Sequence, residues 1–135
     1  MSQAPASLSL AWTRGATVEE EFIYRDDDGT PVDLTGFEAR MQIRTLAGQY
    51  GTSTADTLVL ELDTTGVDPL MYFDTAAEGR LRIKARPDQH AALNPGNAKK
   101  TKYVYSLELY RADGSGEYVI PLFAGKITVR GETTR

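Results

Sequence analysis

The chain reads as all-β: a single immunoglobulin-like antiparallel β-sandwich of about seven to eight strands with one short helix. Three observations predict it. Phe37 to Arg44 alternates without a break, with Phe37, Ala39, Met41 and Ile43 set against Glu38, Arg40, Gln42 and Arg44. Such alternation marks a strand with one buried and one wetted side. Turn signals then separate the apolar runs, notably Asp26-Asp27-Asp28-Gly29 and Asp113-Gly114-Ser115-Gly116. Asp side chains take up local backbone donors there, and Gly tolerates left-handed dihedrals. Finally, 12 Gly and 6 Pro in 135 residues supply the punctuation that many short strands need.

The elements follow in order. Leu8, Leu10 and Trp12 fall on one face of a first strand. Thr17 to Arg25 is the second, with Val18, Glu20, Phe22 and Tyr24 opposite Glu19, Glu21 and Ile23. Its acidic half is expected in solvent. Pro31 lacks a ladder donor and belongs outside a central strand, and Leu34 is expected to tuck under the sandwich end. Leu46 to Asp56 is a Gly-, Ser- and Thr-rich loop, expected to be exposed. Thr57 to Leu62 alternates again, with Leu58, Leu60 and Leu62 on one face. Gly79 to Ala85 points Leu81 and Ile83 inward. Pro87 to Leu93 is the one helix, begun by Pro87 and Asp88. Thr101 to Arg111 places Tyr103, Tyr105, Leu107 and Leu109 on one face, and Pro121 predicts an edge or bulge in the last strand. Phe123, Ile127 and Val129 complete the core set.

Domain bounds follow from the same reading: a flexible arm over 1–7, the sandwich over 8–131, and a tail over 132–135. A hydrophobic fraction of 41% and a charged fraction of 25% are ordinary for one globular domain. The net charge of −4 argues against nucleic acid, since phosphate recognition needs a basic surface. Lys99, Lys100 and Lys102 are expected as a solvated strand start. No apolar run is long enough to span a membrane, and no signal peptide is visible at the N-terminus. With no Cys, thiolate metal sites and thiol nucleophiles are excluded.

Nothing points to catalysis, and no cofactor or metal is expected. His90 is the sole histidine and is expected at the surface, where it can build neither a triad nor a zinc site alone. Asp26 to Asp28 lacks the later Glu of a calcium loop and reads as a hairpin turn. Gly96-Asn97-Ala98-Lys99-Lys100-Thr101 lacks the spacing of a phosphate loop. The aromatic residues carry more. Met71, Tyr72 and Phe73, after Gly66-Val67-Asp68-Pro69, are candidates for an exposed docking patch.

The arrangement Arg14-Gly15-x-Thr17, then Asp28-Gly29-x-Pro31-Val32-Asp33-Leu34-Thr35-Gly36, then a strand ending Met41-Gln42-Ile43-Arg44, resembles the immunoglobulin-like N-terminal module of upper-baseplate proteins of tailed phages. Tyr105 to Tyr110, Ala112-Asp113-Gly114 and Gly125-Lys126-Ile127-Thr128-Val129 are similar to that module's final hairpin. The resemblance implies a non-enzymatic virion structural protein, made in the host cytoplasm: a tail or baseplate adaptor or accessory subunit. It implies an anchoring module without the receptor-binding segment. Its partners would be other virion proteins in the tail, baseplate or capsid, with a symmetric homo-oligomer on the particle. The partner-binding candidates are Leu8, Leu10, Trp12, Leu70, Met71, Tyr72 and Phe73, with the Gly48 to Asp56 loop, acting through exposed strand edges and a terminal arm. A capsid decoration protein of the same fold is the alternative. A carbohydrate-binding sandwich stacking sugars on Trp12, Tyr110 or Tyr118 is a further one.

Overall fold

The computed structural model describes residues 6–45, 58–65, 69–112 and 114–131. Strands follow in chain order as β1 (Ala6–Ser7), β2 (Leu10–Thr13), β3 (Val18–Ile23), β4 (Glu38–Thr45), β5 (Leu58–Asp63), β6 (Met71–Thr75), β7 (Arg80–Ala85), β8 (Lys100–Ala112) and β9 (Glu117–Arg130). They form two sheets. The larger has six strands in the order β1-β9-β8-β4-β5, with β2 also on β9. The smaller has three, β3-β7-β6. The all-β sandwich is therefore as the alternation predicts. The core between the sheets holds Phe22, Leu34, Met41, Ile43, Leu81, Ile83, Leu107, Leu109, Ile127 and Val129.

One departure from a purely antiparallel sandwich sits at the N-terminus. β1 and β2 both run parallel to β9, pairing Ala6 with Phe123 and Leu10 with Ile127. The register is the same before and after the gap at Leu8 and Ser9, so they act as one interrupted strand. No hairpin joins this strand to β9, which leaves its direction free. Ala6 and Ser7 thus belong to the sheet rather than to a flexible arm; residues 1–5 of that expected arm lie outside the described residues, as do the 46–57 loop and the 132–135 tail.

Residue 125 decides how this strand seats. A Cβ on Gly125 would come within 2.2 Å of the Leu8 carbonyl oxygen. Its absence lets the Leu8 backbone close down, where Leu8 N–H donates to Ala124 O at 3.0 Å. Tyr105, paired directly with Gly125 on β8, donates its hydroxyl to the same Leu8 oxygen at 2.7 Å. Ring over glycine and phenol on carbonyl together latch the N-terminal strand.

Two irregularities redirect side chains that alternation would place elsewhere. Between β4 and β5 the register shifts after Ile43, so Leu60 faces Ile43 while Leu58 faces Arg44. A bulge reverses facing; Leu58 is therefore 43% exposed rather than buried beside Leu60 and Leu62. Between β8 and β9 the shift falls at Pro121, with Glu108 on Pro121 and Leu107 on Phe123. The extra residue, Leu122, is buried. Phe123 is half-buried against the Phe22 ring at 5.3 Å.

The expected helix over Pro87 to Leu93 shrinks to a 3-10 turn at Pro87–Gln89, and another 3-10 turn occupies Ala76–Glu78. Arg86 N–H donates to the Gln89 amide oxygen at 2.8 Å and starts the turn. Beyond it, Asn94 and Asn97 both take positive φ of 53°, which no helix accommodates. Asn94 is buried and knits this corner, its backbone N–H donating to the Tyr103 hydroxyl oxygen at 2.7 Å.

His90 is also corrected: it is fully buried, not at the surface. Nε2 lies 2.7 Å from Ala16 O and the ring is tilted against Trp12 with centroids 6.4 Å apart. In the acidic half of β3, Glu19 and Glu21 are exposed as expected, and Glu20 departs, being half-buried. Glu20 points toward the sandwich interior and accepts the Trp12 indole N–H at 2.9 Å.

Gly125→Ala should force the Leu8 backbone away and destabilise the fold by roughly 1–3 kcal/mol, as overpacking does. Tyr105→Phe should cost about 1 kcal/mol. Urea unfolding measures both, and hydrogen exchange should accelerate selectively over residues 8–13. Unchanged exchange there in both variants would show that the latch does not hold the strand.

The phenols give a second prediction. Burial first, and Glu20 second, push Tyr105 from 10.0 up to about 12. Burial, then its hydrogen bonds to Asp63 at 2.7 and 2.8 Å, push Tyr110 to about 12 as well. A folded value above the unfolded one means the unfolded chain sheds these protons first. Their contribution is complete below pH 10 and is lost as pH rises toward 12. Ultraviolet titration should therefore show late-ionising phenols that coincide with alkaline unfolding, and Tyr110→Phe should remove part of the late signal. A single transition near the free-phenol value in the folded protein would contradict the burial.

Candidate functional site

The sequence nominated two docking regions, and the strands sort them residue by residue. On the N-terminal strand Leu10 and Trp12 are core residues, 9% and 3% exposed, and only Leu8 reaches solvent. Inward parity on a strand paired to β9 buries them. In the second region Met71 is fully buried, Leu70 and Phe73 are half-buried, and Tyr72 is exposed. The segment is strand β6, not a loop, so alternate residues turn inward. Leu10, Trp12 and Met71 therefore leave the docking set. Trp12 also leaves the sugar-platform set, and Tyr110 is engaged with Asp63.

What remains of the second region opens into a groove on the outer face of the small sheet. It measures about 500 Å3 and is lined by Pro69, Leu70, Tyr72, Lys84, Arg86 and Gln89. Strand pairing builds it. Lys84 N–H donates to Leu70 O at 2.8 Å, and Tyr72 stands opposite Arg82. The 3-10 turn at Pro87–Gln89 closes one end.

Charge along this face is unevenly compensated. Arg82 meets Glu21 at 2.9 Å and Asp74 at 3.3 Å; Arg80 meets Glu78 at 3.3 Å and Glu21 at 3.5 Å. The Asp74 hydrogen bond, then Glu21, raises the already high Arg82 value further. Arg86 reaches Asp88 at 3.4 Å. Lys84 stands across from Glu19 in register without an ion pair among the described residues. An apolar wall, a phenol and an ammonium suit a partner side chain that carries both apolar surface and a carboxylate.

The other end of the molecule carries a second cluster. On the outer face of the large sheet, Arg40 bonds Glu108 and, at 2.9 Å, Glu117, with its guanidinium 4.5 Å from the Tyr110 ring centre. Hydrogen bonds from Glu117 first and Glu108 second raise the Arg40 value. On the inner face of the same hairpin end, Arg111 lies over Phe37 and Tyr118, at 4.8 and 5.0 Å from their centres. Tyr118 is 43% exposed, so this overhang is uncovered. Sequence reasoning named Tyr118 as a sugar-stacking candidate and did not single out Arg111. The signal was available in the hairpin, since pairing of β8 with β9 sets Arg111 against Tyr118.

The acidic turn is used locally. Asp26 Oδ1 accepts the N–H groups of Asp28 at 2.9 Å and Thr30 at 3.0 Å. Among the described residues no group of three or more His, Asp or Glu side chains could hold a metal ion. No helix there is long and apolar enough to cross a membrane.

No protein-family model matches the chain, and no curated protein matches it in sequence. Solved structures align with it along most of its length. The N-terminal domain of phage TP901-1 ORF48 aligns with a TM-score of 0.50 and 12% identity, covering 92% of this chain and 94% of that one. An uncharacterized protein from Bacillus anthracis str. Ames aligns with a TM-score of 0.39 and 10% identity, over 88% of this chain and 84% of its own. At such identities the first likeness is one of fold.

Proposed function

We propose that this chain is a non-enzymatic structural subunit of a tailed-phage virion, an adaptor or accessory subunit of the tail or baseplate, present in several symmetric copies and docked to other virion proteins. The observation that carries the reading is the end-to-end correspondence of its fold with the N-terminal domain of a phage protein. The turn and strand pattern that resembles upper-baseplate modules points the same way. The groove at Leu70, Tyr72 and Lys84 supports a docking role, since it sets an exposed phenol beside an ammonium that has no ion pair among the described residues. Synthesis in the host cytoplasm and residence in the virion follow from this reading.

Immunogold labelling of phage particles carrying the tagged chain tests it directly. Label on the tail or baseplate supports the proposal; label on the head would replace it with a capsid decoration role; particles without label would reject both. A paired variant locates the contact. Tyr72→Ala with Lys84→Glu lies on exposed side chains and should change stability by no more than about 0.5–1 kcal/mol, yet it should remove the chain from purified particles. Full retention of that variant would exclude the groove as the docking point.

A further inference from the structure

We propose that the overhang of the β8–β9 hairpin is a self-recognition surface, in which Arg111 of one copy takes the Asp27 and Asp28 carboxylates of a second copy across a twofold axis. The proposal deepens the homo-oligomer in the reading above by naming its contact, and it does not depend on the virion setting.

The first support is an imbalance of charge at one end of the molecule. Arg40, Arg80 and Arg82 each meet two carboxylates. Arg111 meets none among the described residues; its recorded contacts are the rings of Phe37 and Tyr118. A guanidinium presents a planar fork of donors matched to carboxylates, and stacking on rings leaves that fork open. The two rings, 6.3 Å apart, also hold the side chain in place, so that less freedom is lost on binding. Exposed Tyr118, paired with Arg111 on the same face, supplies apolar contact area beside the charge.

The second support is that the complementary charge lies at the same end. Phe22 of β3 packs on Phe123, whereas Glu20 reaches Trp12, which pairs with Val129. β3 therefore runs toward the start of β9, and its continuation through Arg25 carries the acidic turn to the hairpin end. There Asp26 is occupied with backbone donors, and Arg25 donates to Gly29 O at 2.9 Å rather than to a carboxylate. Asp27 and Asp28 are exposed and meet no cation among the described residues. An end of the molecule that carries both an open cation and open anions can pair with a second copy of itself, because a twofold axis brings each onto the other twice.

Light scattering over a concentration series is the test, run on wild type, R111E and the double variant D27K/D28K, with circular dichroism to confirm folding; R111Q replaces R111E should the latter not fold. Wild type should dimerise, more weakly as salt rises. Each variant should raise the dimer dissociation constant by at least about tenfold. An equimolar mixture of R111E and D27K/D28K should regain the dimer mass, since both contacts are then restored with the charges exchanged. A wild-type chain that stays monomeric, a dimer indifferent to R111E, or a mixture that fails to reassociate would each overturn the proposal. A monomeric chain that still labels virions would sink this contact and leave the virion reading standing. A dimer absent from particles would do the reverse.

Discussion

A side chain at position 125 would strike the Leu8 carbonyl, and much of the sandwich rests on there being none. With glycine there, the N-terminal strand seats on β9 and runs on in register to Leu10 and Trp12. Trp12 then becomes a hub. Its indole N–H is satisfied by Glu20 on the opposite sheet, and its ring lies against His90, whose Nε2 in turn meets Ala16 O in the turn between β2 and β3. Two sheets, the corner after β7 and the crossover turn are thereby tied to one strand position. Tyr105 closes the circuit by reaching Leu8 over the glycine. A buried polar network of this kind is costly to leave half-made, so the latch fixes register as well as adding stability.

The legible parts of the fold are those in which period alone decides. β4 and the inward residues of β8 follow strict alternation, and every inward residue from Ala39 to Ile43 and Tyr103 to Leu109 is buried. What sequence misplaces falls where a bulge or a partner overrides period. Leu58 turns outward and Leu122 inward because each flanks a register shift. His90 looked like a surface residue because its environment comes from Trp12 and Ala16, distant in sequence. For the docking candidates, sequence names the hydrophobic residues at 70–73, but only the strand's parity shows that Tyr72, not Met71, faces out. Arg111 escaped because its significance lies in what it lacks, and an unmet charge cannot be seen until its neighbours are placed.

Charge is distributed over this small molecule as a set of local neutralisations rather than as a field. A net charge of −4 conceals Arg40, Arg80 and Arg82, each held by a pair of acids. Exposed pairs of this type contribute little to stability. Their effect is to keep those faces inert toward other proteins, since each cation already has its anions. Lys84 in the groove and Arg111 on the overhang, one at each end of the sandwich, join Lys99, Lys100, Lys102, Lys126 and Arg130 as exposed cations with no ion pair among the described residues.

The strand edges carry the argument one step further. Docking by strand addition requires a flat edge with an unbroken row of donors and acceptors. Each edge here departs from that. β1 and β2 are short and interrupted at Leu8 and Ser9. β5 is bent by its bulge against Ile43 and Arg44, and β6 by another between Phe73 and Thr75. β3 sets Glu19, Glu20 and Glu21 in sequence. β9 runs unaccompanied by β1 over Glu117 to Leu122, and that stretch contains Pro121, which has no N–H to offer. Among the described residues each edge is blunted, which weighs against the expectation of backbone addition at exposed edges. Contacts made by side chains, at Tyr72 and Lys84 or at Arg111 and Tyr118, are the route this surface leaves open.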